Sequence, residues 1–142
     1  MRWWSWRNDN WPGPEPDVRI YLQYFSPQKK QVLSHSLGLQ KGMIGLVNGF
    51  ASVDYIATNN FVITHELMHT FGASDKYDLE TNEPIFPDGF ADPQQRPLLP
   101  QVRAEIMGGR VKVSPGWLVM PLSLDNVVVG DKTAGEIGWL PL

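Results

Sequence analysis

The run Thr64-His65-Glu66-Leu67-Met68-His69-Thr70-Phe71-Gly72-Ala73-Ser74-Asp75 constrains this 142-residue chain more than any other segment. Histidines at i and i+4 share one face of a helix, with Cβ atoms about 6 Å apart. Two imidazoles so placed can both reach one ion at Zn–N distances of about 2.0–2.1 Å. Glu66 adjoins the first histidine, so it is angled beside such an ion and can hold and deprotonate a water there. Gly72 permits the left-handed turn that ends the helix, and a residue three positions later can then return to the ion. The His-Glu-x-x-His pattern arises by chance in roughly a few chains per thousand of this length. An amphipathic helix with two exposed histidines is the plain alternative. It is disfavoured because two of the three histidines in the chain fall in this motif.

Around that run the elements are read from pattern. Asn8–Asp17 contains Pro12, Pro14 and Pro16 and reads as an extended lead-in. Val18–Phe25 alternates, with Val18, Ile20, Leu22 and Tyr24 on one face, and is expected as a strand. Ser26-Pro27 suggests an N-cap and first turn of a short helix to Leu33. Gly42, Gly45 and Gly49 amid apolar residues suggest one or two strands over 41–53 with close backbone approaches. The motif helix is expected from Phe61 to Phe71, capped by Asn59 or Asn60 and stopped by Gly72. Residues 73–121 are proline-rich and weakly periodic, which favours a functional or ion-holding loop over an idle one. Val127–Val129 reads as a short strand, and a last helix starts at Asp131 or Thr133 and reaches Trp139.

Composition narrows the classes of function. The length fits one domain with its own core. A net charge of −3 without a Lys/Arg block gives no footprint for nucleic acid. With no cysteine, a disulfide framework and a thiolate metal site are excluded. No stretch approaches the ~18 apolar residues that span a bilayer, and no signal-peptide pattern is read. Trp3, Trp4, Trp6 and Trp11, with Arg2 and Arg7, crowd the N-terminus. Such a segment either packs onto the domain or forms the interfacial belt that follows a membrane anchor. The expected organisation is an arm over 1–16 and a catalytic domain over 17–142, monomeric and membrane-proximal or extracytoplasmic.

The motif resembles that of the metzincin clan of zinc peptidases, His-Glu-x-x-His-x-x-Gly-x-x-His/Asp followed by a Met-turn. With Asp in last place it looks like snapalysin, and Gly72–Asp78 is similar to immune-inhibitor-type peptidases. The resemblance implies an α+β fold of zincin type: a small twisted sheet and an active-site helix above an irregular lower half with a C-terminal helix. It also implies a zinc endopeptidase acting on peptide or protein substrates. Its ligands would be His65, His69 and Asp75, with Glu66 as general base and Met107 as the Met-turn; Met120 is a weaker choice. No Tyr follows Met107, where several clan members keep one, so Tyr77 is the nearest candidate for oxyanion stabilisation.

Alternatives stay open at several positions. Asp78 competes as third ligand if the turn is wider, and Glu105 competes if the site is of gluzincin type. Asp78, Glu80, Glu83, Asp88 and Asp92 could hold calcium through oxygen ligands. His35 reads as a surface histidine. Substrate is expected to pair with a strand edge from the 41–53 region. The competing functions are a latent or non-peptidase zinc module and a metal-free interaction module.

Overall fold

The computed structural model describes residues 16–29 and 32–141. The expected arm over 1–16 therefore lies almost wholly outside the described residues. Strands β1 (Arg19–Phe25), β2 (Leu37–Leu39) and β3 (Ile44–Phe50) form one sheet in the order β1-β3-β2. β3 runs parallel to β1 and antiparallel to β2. Helix α1 (Ile56–Thr70) packs against β3 and β2, and the chain is an α+β protein.

β1 forms where the alternation places it, but its inner face is only partly covered: Ile20 lies with its Cδ1 over Gly45, while Leu22 and Tyr24 are exposed. Glycines on the helix side of β3 let α1 come close. A β-carbon at Gly49 would stand 2.9 Å from Asn59 Oδ1. This close approach explains why neither Asn59 nor Asn60 is the N-cap. Asn59 sits inside the helix and pairs with Phe50, accepting its N–H at 3.1 Å and donating to its carbonyl at 2.8 Å. The helix begins more than one turn earlier, at Ile56, after a 3-10 turn (Val53–Tyr55) in which the Ser52 side chain accepts the Asp54 amide. It ends as expected. Gly72 adopts φ +104, its N–H bonds the His69 carbonyl at 3.1 Å, and the Ala73 N–H bonds the Met68 carbonyl at 3.1 Å. This pair of bonds is a Schellman closure, which needs the left-handed residue that glycine supplies.

Three expectations are corrected. Residues 27–29 form a turn and not the start of a helix to Leu33, and Ser26 Oγ donates to the Gln28 side chain at 2.6 Å and caps no backbone amide among the described residues. β3 is central, with β1 along its whole length on one side and β2 along only Ile44–Leu46 on the other; the outer strands among the described residues are β1 and β2, and β2 has no counterpart among the strands expected from sequence. The last helix, α2 (Asp131–Glu136), stops short of Trp139, where Gly138 turns left-handed at φ +79.

The proline-rich half is less irregular than expected. β4 (Ala104–Glu105) pairs in parallel with β7 (Val127–Val128), and β5 (Val111–Ser114) forms a hairpin with β6 (Trp117–Val119). Phe61 and Met68 of α1 meet Ala73, Ile106 and Met107 in the buried core, so the motif helix is clamped directly onto the turn after β4.

Candidate metal centre

α1 presents His65 and His69 one helical turn apart, with ring centroids 4.8 Å apart and planes at 87°. Gly72 reverses the chain, and Asp75 returns to them. Its Oδ1 lies 3.1 Å from His65 Nε2 and 3.2 Å from His69 Nε2. Among the described residues this is the one group of three or more potential metal-ligating side chains, with ligand atoms within 4.8 Å of one another.

The other nitrogen of each ring faces a carbonyl. His65 Nδ1 is 2.9 Å from the Ile106 oxygen, and His69 Nδ1 is 2.8 Å from the Ala73 oxygen. A carbonyl only accepts, so each Nδ1 carries a hydrogen and a neutral ring presents its Nε2 lone pair. With both rings neutral, two lone pairs and a carboxylate oxygen face one place; protons on Nε2 that donate to Asp75 relieve that repulsion, and a cation bound among the three groups would do the same. The donor set fits a divalent ion that takes imidazole and carboxylate ligands, and the orienting carbonyls are the outer partners such ligands commonly have.

The titration directions report the same crowding. Burial alone would raise the Asp75 carboxyl, but hydrogen bonds from His65 and His69 outweigh it and hold the group well below its ordinary range. Burial alone would lower His69, yet Asp75, the Ala73 carbonyl and Glu66 together raise it. Glu66 is 7% exposed, and burial pushes its carboxyl up, against the opposing pull of the two histidines. Tyr77 lies 6.1 Å from His65 between ring centroids, and burial followed by the charges of Asp75 and Glu66 raises its hydroxyl.

These groups open onto a cleft of about 630 Å³, also lined by Leu37 and Gly38 of β2 and by Arg110. His35, read from sequence as a surface residue, is exposed but lies along this cleft. Met107 is completely buried in the core, next to Ile106, whose carbonyl orients His65. Met120 packs at the edge of that core, and its sulfur contacts Arg110.

The competing ligands are elsewhere. Glu105 is fully buried and spent: one oxygen accepts the Met107 and Gly108 amides at 2.6 and 2.8 Å, the other the Gly130 amide and the Thr133 hydroxyl at 3.1 and 2.6 Å. Asp78 caps its own turn through Thr81. Glu83 pairs with Lys112 and Asp92 with Arg103. With Glu80 and Asp88, these acids form no group suited to calcium among the described residues.

Two features of the cleft escaped the sequence reading, β2 and Arg110. A basic residue directly after the Gly108-Gly109 turn was the available signal for the second. Among the described residues, no helix is long and apolar enough to cross a membrane. No protein-family model, curated protein or solved structure matches the chain.

Proposed function

We propose that the chain is a zinc-dependent endopeptidase of metzincin type. The observation that carries this reading is the convergence of His65 Nε2, His69 Nε2 and Asp75 Oδ1 beside a buried Glu66 in an open cleft. Three protein ligands leave a position free, as in catalytic and not structural zinc sites. Zinc, when bound by these three residues, supplies a Lewis acid that polarises a carbonyl and acidifies water.

The chain's own groups do the proton work. Glu66 accepts a proton from the attacking water and returns it to the leaving amine, and its raised pKa makes it the better base for the first of these transfers. Tyr77 keeps its proton under the same burial and donates a hydrogen bond to the oxyanion of the tetrahedral intermediate. Met107 is the Met-turn residue, supporting the ligands through the turn that sets the Ile106 carbonyl. An extended substrate pairs with the outer edge of β2, which lines the cleft together with Asn48 from the 41–53 segment expected from sequence.

The test is zinc content together with cleavage of an unstructured protein, for wild type and Glu66→Gln. The expected result is one zinc in both proteins and turnover at least ~100-fold lower in the variant, because an amide cannot take the proton. Absence of zinc uptake, or equal turnover, would overturn the reading.

A further inference from the structure

Arg110 is the basic side chain, histidines apart, that lines the cleft. It is half-buried, and among the described residues no carboxylate pairs with it. Lys76, Lys112 and Arg103 each meet an acid at 2.7 Å. Arg110 Nη1 donates to the Gly109 carbonyl at 3.1 Å and touches the Met120 sulfur. Those contacts fix the head group at the cleft wall. Its Nη2 and Nε have no hydrogen-bond partner among the described residues.

A half-buried guanidinium with a single backbone acceptor and no anion gives up part of its hydration for one hydrogen bond, so it gains from a carboxylate partner. The rest of the cleft does not compensate it. Glu66 and Asp75 together offset a divalent ion, so a loaded site carries the Arg110 charge unbalanced. A peptide backbone is neutral and leaves that imbalance in place. A carboxylate removes it and suits the planar donor fork of arginine.

We propose that Arg110 is a specificity-determining residue that receives a substrate carboxylate, from an acidic side chain near the scissile bond or from a free C-terminus. This rests on the peptidase reading for the substrate class, while the contact itself concerns only the cleft and Arg110.

The test uses two peptide sets. In one, both ends are blocked and Glu is compared with Gln at each position flanking a constant apolar pair. In the other, an all-Gln peptide carries a free or an amidated C-terminus. Cleavage ratios are read on the zinc-loaded wild type. Binding ratios are read by anisotropy of labelled peptides on zinc-loaded Glu66→Gln. The carboxylate form should be favoured about 10-fold or more in one set, which identifies its source. Adding Arg110→Gln should bring that ratio close to one, and Arg110→Glu should reverse it in favour of the neutral peptide. A ratio near one on the unaltered arginine in both sets, or a preference that survives Arg110→Gln, overturns the proposal. Cleavage without a carboxylate preference sinks this inference and leaves the peptidase reading intact. An Arg110-dependent binding preference without any cleavage does the reverse.

Discussion

The Glu105 carboxylate accepts the backbone N–H of Met107 at 2.6 Å, and the residue between them, Ile106, turns its carbonyl to His65 Nδ1 at 2.9 Å. Glu105 thereby positions a metal-site histidine through the backbone, without approaching the site itself. Its second oxygen ties the same turn to the Gly130 amide at the start of α2.

Glu105→Gln places an amide NH2 against at least one backbone N–H of this cluster. The mismatch should cost about 1–3 kcal/mol of stability. Zinc stoichiometry should stay at one per chain, with affinity reduced only as far as His65 loses its orientation. Thermal melts and metal titration check this. A variant of normal stability that binds no zinc would instead make Glu105 a ligand.

At Gly38 of β2, an added β-carbon would stand 2.6 Å from the His69 β-carbon and would also strike the Glu66 carbonyl. Gly38→Ala must push the edge strand off α1, at a cost of about 1–3 kcal/mol, and should weaken zinc binding. Gly45→Ala is the control. Its β-carbon meets chiefly Ile20 Cδ1, the movable end of a side chain, so its penalty should be smaller and its zinc affinity near wild type. Equal penalties measured by denaturant titration would contradict this packing account.

Zinc loading should raise the melting temperature and a chelator should lower it, since an ion bound only by the folded chain adds to its stability. Asp75→Ala should remove most of this effect, and Asp78→Ala little of it. His69 must be neutral to bind, and its pKa is raised above the ordinary 6.5. Zinc uptake near neutral pH should therefore release protons. Affinity should fall as pH drops through that raised value. Calorimetry in buffers of different ionisation enthalpy measures the protons directly.

Lys76, 5% exposed, is paired with Glu136 of α2 at 2.7 Å, and Glu136 also accepts the Ser74 amide and hydroxyl, both at 2.9 Å. This cluster fastens the segment carrying Asp75 to the last helix. Glu136→Ala leaves a buried ammonium unpaired and should cost about 3 kcal/mol, whereas Lys76→Met with Glu136→Leu should cost less. Burial alone would raise Glu136, but Lys76 and Ser74 outweigh it and hold the carboxyl below 4.5. Its stabilisation is therefore complete above 4.5 and is lost as pH falls through the lowered value. The gap in melting temperature between wild type and Glu136→Ala should shrink on acidification.

Features that depend on near neighbours along the chain were legible in the sequence. The i, i+4 histidines and the Gly72 stop were legible, as was the return of Asp75, because one helical turn and one left-handed residue decide them. That Arg19–Phe25 is a strand was legible because period two is a local pattern, although Leu22 and Tyr24 of its expected inner face are exposed. Which strands lie outermost emerges only from the fold, because it depends on β3 pairing with β1 and β2 at once. The fold also assigned Asn59 to Phe50 and not to a cap, consumed Glu105 in four hydrogen bonds, and brought His35 and Arg110 to the cleft. Each of these depends on contacts between residues far apart in sequence, and such contacts are set by packing and burial, which leave no periodic trace in the chain.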